Sequence, residues 1–559
     1  MKPTLLFFLL IFVGFSATAQ KKSKTIQVTY TKSSNGTVIE NQDPILLLAS
    51  GTTSLVTTEK ILQKKAGFPI EQTYTFYPKN TTYQVAQLKN EKTILVADST
   101  ALEKQKFELL PDTKKILGYP CKKAKISINS NTIEIWYTNA LPQKGGPSVL
   151  GQNLGLVLEV NRNGNYQVLA TKIEILKKTP AVLTLPAATT PTVDVLTYRD
   201  ILWKSKFQTI PIFENEIINF SDQSKSNDSI LRFANGTILV KKVKLPKIKN
   251  GSLVFAAVTE QSNGDAYDRT GSVFVIPMEG SVSFLDGLQK GISSLPVYDN
   301  GNGKKYQGIA RTDNYTPLLE LMRFFTPFGI HQYNSLKLKN KVWQDSVLYR
   351  QEISELIPAL SGQEVYIGMT IGNYDKGGHK VSLDLTIHPD EESAIRADTF
   401  VLPLFNTTNV MEMAGQEYGT LFNTPKGLEV TFQLKQPLKN ARLRYITTGH
   451  GGWENGDEFI PKKNTITLDG KTIFDLAPWR TDCGSYRLSN PASGNFENGL
   501  SSSDYSRSNW CPGTVTNPYW IDLGPMAAGS HTITVTIPQG ANEGGSFSSW
   551  NVSGVLIGE

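Results

Sequence analysis

Residues Gln261 to Pro277 read QSNGDAYDRTGSVFVIP: two carboxylates, Asp265 and Asp268, stand on either side of an aromatic residue, Arg269 follows at once, and a run with strand character begins. Two acids and a guanidinium at the mouth of a β-strand are components of acid–base chemistry. A carboxylate positions a water or moves its proton, and a fixed positive charge stabilises a developing oxyanion. They are equally the components of a solvated hairpin, since Asn263-Gly264-Asp265 is ordinary turn chemistry. Taken alone the stretch favours the turn, and the rest of the chain must decide. Copper chemistry draws no support, because the five histidines are scattered, with no His-His or His-x-His pair.

The elements that must position these groups are β-strands. Stretches such as TIEIWYTN, GLVLEVNR, KVSLDLTIH, GLEVTFQL and HTITVTIP alternate apolar and polar residues between turn signals, the spacing of β-sandwiches. Helical pattern is scarce; DSVLYRQEISELIPAL (Asp345 to Leu360) and the shorter TPLLELMRFF are predicted helices. A chain of 559 residues exceeds one core, so two to four domains are expected. Lys177 to Val195, rich in Pro, Ala and Thr, reads as a semi-extended linker, and a second boundary falls near His388 to Asp398. The predicted division is 20–176, a linker at 177–195, 196–390, and 391–559. The net charge of +7 is dispersed without a basic block, which argues against a nucleic-acid partner.

The first residues, MKPTLLFFLLIFVGFSATAQ, have Lys2, an apolar run from Leu5 to Phe15 and the small-residue site Ala17-Thr18-Ala19. They predict a secretory signal peptide cleaved after Ala19, hence a secreted or periplasmic protein without a membrane anchor. Disulfides can form there. Cys483 and Cys511 both sit in Gly/Ser/Asn-rich loop sequence, and Cys121 is the third cysteine. Paired, the first two would close a loop worth about 3–4 kcal/mol. Cys121 would then be a small buried hydrophobe.

In the third domain, TTGHGGWENGDEF (Thr447 to Phe459) is followed by DCGSYRLSNP and DYSRSNWCPGTVTNPYWIDL; in the second, GDAYDRTGSVFVI is followed by MRFFTPFG. In this order the motifs resemble the bacterial peptide:N-glycosidase F family, amidases that release N-linked glycans from asparagine. The resemblance covers roughly Val195 to Glu559. It implies an all-β protein with two adjacent eight-stranded antiparallel jelly rolls and an active site in the cleft between them. By the same resemblance Asp268 is the principal catalytic aspartate and Glu458 the glutamate of the second roll. Arg269 and Arg507 would supply positive charge or orient a carboxylate. Tyr267 and Phe459 replace tryptophans beside the acids, and with Trp453 they suit the apolar faces of sugars. Trp510 matches an Arg-x-x-Trp segment, and Cys483 and Cys511 match a family disulfide. Thr370 departs from the pattern: it stands where a third carboxylate is expected, with Gly372 in place of an aromatic, so either that acid is dispensable or another group such as Asp375 supplies it.

Ahead of these motifs, PDTKKILGYPCKKAKI, IEIWYTNALP and GLVLEVNRNG resemble the secreted GLPGLI family. This implies the longer subtype with a β-rich, bowl-like N-terminal domain. The implied partners are N-linked glycoproteins and glycopeptides, with no cofactor and no metal, and a monomer is expected. A secreted glycan-binding or adhesion protein of the same fold is the alternative. Of the remaining residues, Asp265 reads as a turn residue and Arg323 as a structural ion-pair partner. His450 either touches substrate or holds a loop, and His331, His379, His388 and His531 read as isolated surface or strand-end residues. Thr370 and Gly372 would open room for a fucose on the innermost GlcNAc.

Overall fold

The computed structural model describes residues 24–249, 251–333, 339–389, 399–451, 456–491, 501–543 and 546–559. The expected leader and Trp453 lie outside these residues. The chain divides into two compact units, Met1–Lys206 and Phe207–Glu559.

In the first unit a 12-stranded antiparallel sheet is built around the strand Ile26–Ser34, which pairs with Ile45–Ala49 on one side and Tyr166–Ile175 on the other. Its alternation is plain: Ile26, Val28 and Tyr30 are buried while the residues between them are not. The stretch expected to be a linker is laid along this unit instead. Leu183 is buried against Leu48, Leu55 and Tyr74, and Thr192 bridges Leu95. Val195–Ser205 is a helix capped by the Asp194 side chain, and its Tyr198 and Leu202 bury against Ala86, Leu88, Ile94 and Val96. The break therefore comes at Lys206, not at residue 196. A Pro/Ala/Thr-rich stretch with enough Val and Leu to cover a sheet does not behave as a spacer.

The second unit holds two sandwiches. In the first, the four strands Gln208–Ile218, His379–His388, Leu253–Ser262 and Val347–Glu352 form one sheet. The facing sheet has six strands, of which Thr270–Ile276, Leu319–Phe325 and Thr514–Thr516 lie side by side. The second sandwich has two four-stranded sheets, one including Leu438–His450 and Ser549–Gly558, the other including Asn464–Leu468. Eight strands hold for the second roll. Among the described residues the first has ten, one of them Thr514–Thr516 from the far end of the chain. Both predicted helices are corrected: TPLLELMRFF contains the strand Leu319–Phe325, buried at every residue. Residues 345–360 contain the strand Val347–Glu352 and only short helical turns at Ser354–Leu360.

Two arginines lock the rolls together. Arg323 holds Glu320 through Nε and Nη2 at 3.0 and 2.8 Å and reaches across to the Asn551 carbonyl at 2.7 Å. Arg444 returns the crossing, donating to the Glu320 and Leu321 carbonyls at 2.8 and 3.0 Å and to Glu355 at 3.1 Å. Removing one partner of such a buried set costs about 3–5 kcal/mol, so the cleft beside it has a stiff floor.

Candidate active site

The connection from Leu253–Ser262 to Thr270–Ile276 carries the two acids of the opening stretch, and its turn chemistry is real. The Asp265 carboxylate accepts from Tyr267 N at 3.1 Å, and from Arg269 Nε and Nη2 at 2.7 and 3.1 Å. Arg269 N donates to Thr326 Oγ1 at 2.8 Å, which pins the strand mouth to the next segment. Asp268 is thereby turned into a cavity of about 480 Å³ between the rolls. Asp268, Arg269, Thr370, Gly372 and Tyr374 line it from the first roll, and Asn409, Glu412, His450, Glu458 and Asn551 from the second.

Asp268 and Glu458 meet on one nitrogen. Arg507 Nη1 donates to Asp268 Oδ2 at 3.0 Å and to Glu458 Oε1. Side-chain exposure is 1% for Arg507, 15% for Asp268 and 17% for Glu458, so this is a largely desolvated triad. Burial pushes the Glu458 carboxyl up to about 8, with Arg507 opposing and Asp268 adding to the rise. Burial raises Asp268 as well, but both Arg507 and Arg269 oppose it. Two cations act on Asp268 and one on Glu458, so the pair keeps its proton on Glu458 at neutral pH and its negative charge on Asp268. That is one proton donor and one proton acceptor on a shared guanidinium.

Arg507 is fixed from behind. Its guanidinium lies 5.0 Å from the Phe459 ring centre and 4.2 Å from that of Trp510, and Nη2 donates to the Ser502 carbonyl. Its backbone pairs with Arg480, three residues before a turn that opens with Cys483, and the Cys483–Cys511 disulfide forms as expected. Trp510 is buried, stacks on Phe325 at 4.1 Å and donates to the Gly449 carbonyl. Phe459 is half-buried and meets the Tyr505 ring edge-on at 5.4 Å. Of the adjacent acids in GDEF, Asp457 is structural, accepting from Trp550 Nε1 at 2.8 Å. Cys121 is free and buried.

Arg269 ends a buried chain of charges that the sequence reading missed. His379, read as an isolated surface or strand-end residue, does open a strand but has no exposure; it lies 2.8 Å from Glu260 through Nδ1 and 3.5 Å from Asp265 Oδ2 through Nε2. Burial opposes its charge, but Asp265 and Glu260 outweigh it and raise the imidazole to about 9. Burial likewise opposes the Asp265 anion, and His379 and Arg269 win, holding that carboxyl far below its usual range. The order Glu260–His379–Asp265–Arg269 alternates in sign and delivers Arg269 to the cleft between the exposed rings of Tyr267 and Tyr374, at 5.3 and 5.8 Å. His379 opens a strand, which is why its position in sequence reads as peripheral.

At the departure from the family pattern, Thr370 donates to the Thr237 carbonyl at 2.9 Å. Asp375 does not replace the missing acid: its carboxylate caps Gly377 N and Gly378 N at 2.7 and 2.8 Å. The acid beside Gly372 is Glu412 of the second roll. A methyl group on Gly372 would sit 3.9 Å from Glu412 Oε2, and Tyr374 donates to Oε1 at 3.3 Å. Nothing in the sequence around Glu412 marks it; only the approach of the two rolls does. His450 lines the cavity, bonded to Thr448 at 2.9 Å, and burial beside Arg323 and Arg507 lowers it to about 3, so it is neutral. Among the described residues no cluster of His, Cys, Asp or Glu could hold a metal ion, and no helix is long and apolar enough to cross a membrane.

Three family models match the chain: "N-glycanase peptide, N-terminal domain" over residues 28–200, "Peptide-N-glycosidase F, N terminal" over 209–387 and "Peptide-N-glycosidase F, C terminal" over 417–557. Among solved structures, PNGF-II in a C2 crystal form is 57% identical, with 96% of this chain and 98% of that chain covered and a TM-score of 0.90. PNGF-II in a P21 form is also 57% identical, with 96% and 99% covered and a TM-score of 0.91. No curated protein matches the chain.

Proposed function

The chain belongs to the peptide-N-glycosidase F family, and from that premise we propose how its cleft works as a peptide-N4-(N-acetyl-β-glucosaminyl)asparagine amidase. The reaction hydrolyses the side-chain amide of a glycosylated asparagine. Water adds to the amide carbon, the C–N bond breaks, asparagine becomes aspartate and the glycan leaves whole as a glycosylamine. The observation that carries the assignment is the sharing of Arg507 Nη1 by Asp268 and Glu458, one acid from each roll.

Asp268, the ionised member, holds the attacking water and takes its proton. Glu458, the protonated member, gives a proton to the departing nitrogen. Arg507 keeps the two acids in register. Arg269 lines the same cavity, and its pairing with Asp265 uses Nε and Nη2, leaving Nη1 for the carbonyl oxygen as charge develops there. Tyr267 and Tyr374 frame Arg269 and offer aromatic faces to sugar. Binding alone would not require an acid held in its neutral form beside an ionised one, which sets the amidase apart from a glycan-binding protein. The leader in residues 1–19 supports export to the compartment where glycoproteins are met, and N-terminal sequencing of the mature protein tests that.

The deciding experiment incubates the purified protein with a defined glycopeptide and weighs both products. Conversion of Asn to Asp with release of the whole glycan is expected; a peptide that retains one GlcNAc, or no change, overturns the reading. Asp268→Asn is expected to abolish turnover and Glu458→Gln to reduce it by about 10²–10⁴-fold, both with the fold kept. Near-normal rates for Asp268→Asn would remove that residue from the mechanism.

A further inference from the structure

The second roll places one side chain in the cleft at evident cost. Asn409 is 8% exposed, and neither Oδ1 nor Nδ2 has a hydrogen-bond partner among the described residues. Its φ is 45°, in the left-handed region that asparagine tolerates better than other side chains and that glycine adopts freely. The Tyr418 hydroxyl comes near the amide but makes no hydrogen bond of proper geometry with it. A buried carboxamide with both ends unpaired is unfavourable, and the left-handed backbone adds a smaller cost that glycine would not carry. Here both fall on one residue, and that residue lines the cavity holding Asp268 and Glu458.

The surrounding backbone enforces this conformation. The Asn409 carbonyl accepts from Glu412 N at 3.1 Å, Thr407 N donates to the Val552 carbonyl at 2.8 Å, and Asn406 Oδ1 accepts from Thr408 N and Oγ1 at 2.9 and 2.6 Å. On the same wall Asn551, 4% exposed, also has an unpartnered Oδ1. Its backbone carbonyl is already taken by Arg323.

We infer that Asn409 is a substrate-binding residue whose carboxamide recognises an acetamido group of the N-acetylglucosamine-bearing substrate. The inference rests on the amidase reading. The chemistry follows from what is unpaired: one acceptor and one donor on a rigid plane. An acetamido carbonyl accepts from Nδ2 while a neighbouring N–H or hydroxyl of the same saccharide donates to Oδ1, so both ends are satisfied by one N-acetyl sugar, whereas a carboxylate can only accept. A site built to pair a buried polar group rejects the analogue that lacks the partner, so Asn409 would read N-acetyl sugars against plain hexoses.

Two measurements on the full chain test this. Glycine adopts the left-handed backbone freely, and Asn409→Gly also removes the unpaired amide. The substitution is expected to raise Tm by about 1–2 °C while lowering kcat/KM on a GlcNAc-bearing glycopeptide tenfold or more. A fall in Tm, or activity within twofold of the parent, overturns the inference, because an asparagine kept for structure would be missed by the fold. The second measurement is calorimetric titration of the Asp268→Asn protein with N,N′-diacetylchitobiose and with cellobiose, which carries hydroxyls in place of the acetamido groups. Diacetylchitobiose is expected to bind at least tenfold more tightly, and adding Asn409→Gly should erase that advantage. An advantage that survives the substitution overturns the inference and leaves the amidase reading intact. Failure of the wild-type chain to release glycan would sink the amidase reading, while the titration would still decide the role of Asn409.

Discussion

Arg507 makes the pH behaviour of the site predictable. In the proposed mechanism Glu458 acts in its protonated form, and its carboxyl is raised to about 8, so kcat/KM should fall as pH rises through about 8. On the acid side activity should fall as Asp268, itself raised, takes up a proton. A pH profile of the wild type checks this against Glu458→Gln, which should lose the alkaline limb together with most of its rate. An unchanged limb would assign it to another group. His379 makes a separate prediction about stability. Its folded value of about 9 lies above the ordinary 6.5, so its contribution is complete below about pH 6.5 and is lost as pH rises through about 9. The size is about 3 kcal/mol at about 1.4 kcal/mol per unit. Urea unfolding at both ends of that window should show the loss in wild type and not in His379→Gln. Asp268 and Glu458 were legible in the sequence because a motif surrounds each. His379 and Glu412 were not, since their roles arise from partners 119 residues and 38 residues away in the chain.

At the scale of elements, the strand-rich pattern and turn spacing made the sandwiches readable, while two strands passed for helices. Leu319–Phe325 is buried on both faces, so its apolar run lacks the period of two that marks a half-exposed strand. The loop carrying Arg507 yields a further prediction. The disulfide closes a separation of 28 residues, which in the chain-entropy estimate is worth about 3–4 kcal/mol. Cys483→Ala with Cys511→Ala should lower stability by about that much and slow turnover by loosening Arg507. Denaturant midpoints and rates with and without reductant measure both; activity unchanged by reduction would mean that Phe459 and Trp510 hold Arg507 unaided. The edge at Gly372 is partly filled by Glu412 and Tyr374, yet a methyl group there would still meet nothing nearer than 3.9 Å. Core-α1,3-fucosylated glycopeptides should therefore be substrates, and Gly372→Trp should reduce their release more than that of unfucosylated ones. An equal loss on both would place the residue in the chemistry rather than in the choice of sugar.

For the whole molecule the question is where one folding unit stops. Composition suggested residue 195, because Pro, Ala and Thr mark a connection. The packing sets the limit at Lys206, because Tyr198 and Leu202 of the helix Val195–Ser205 complete a cluster made by Ala86, Leu88, Ile94 and Val96. The described site residues all lie in Phe207–Glu559, and the cores of both rolls are drawn from that unit's own residues. A fragment of residues 207–559 should therefore fold and turn over short glycopeptides at rates close to the full chain. A fragment starting at residue 196 should behave worse, because it carries a helix whose apolar face has lost its cover. Exposing two large buried side chains forfeits about 1.5–3 kcal/mol each and leaves a patch that promotes association. Side-by-side expression, light scattering and glycopeptide assays separate the cases. If the 207–559 fragment were soluble but dead on short glycopeptides while the full chain was active, the first unit would contribute to catalysis itself. Loss confined to intact glycoproteins would instead assign that unit to handling of the protein part of the substrate, the role a large sheet with its own core is free to take.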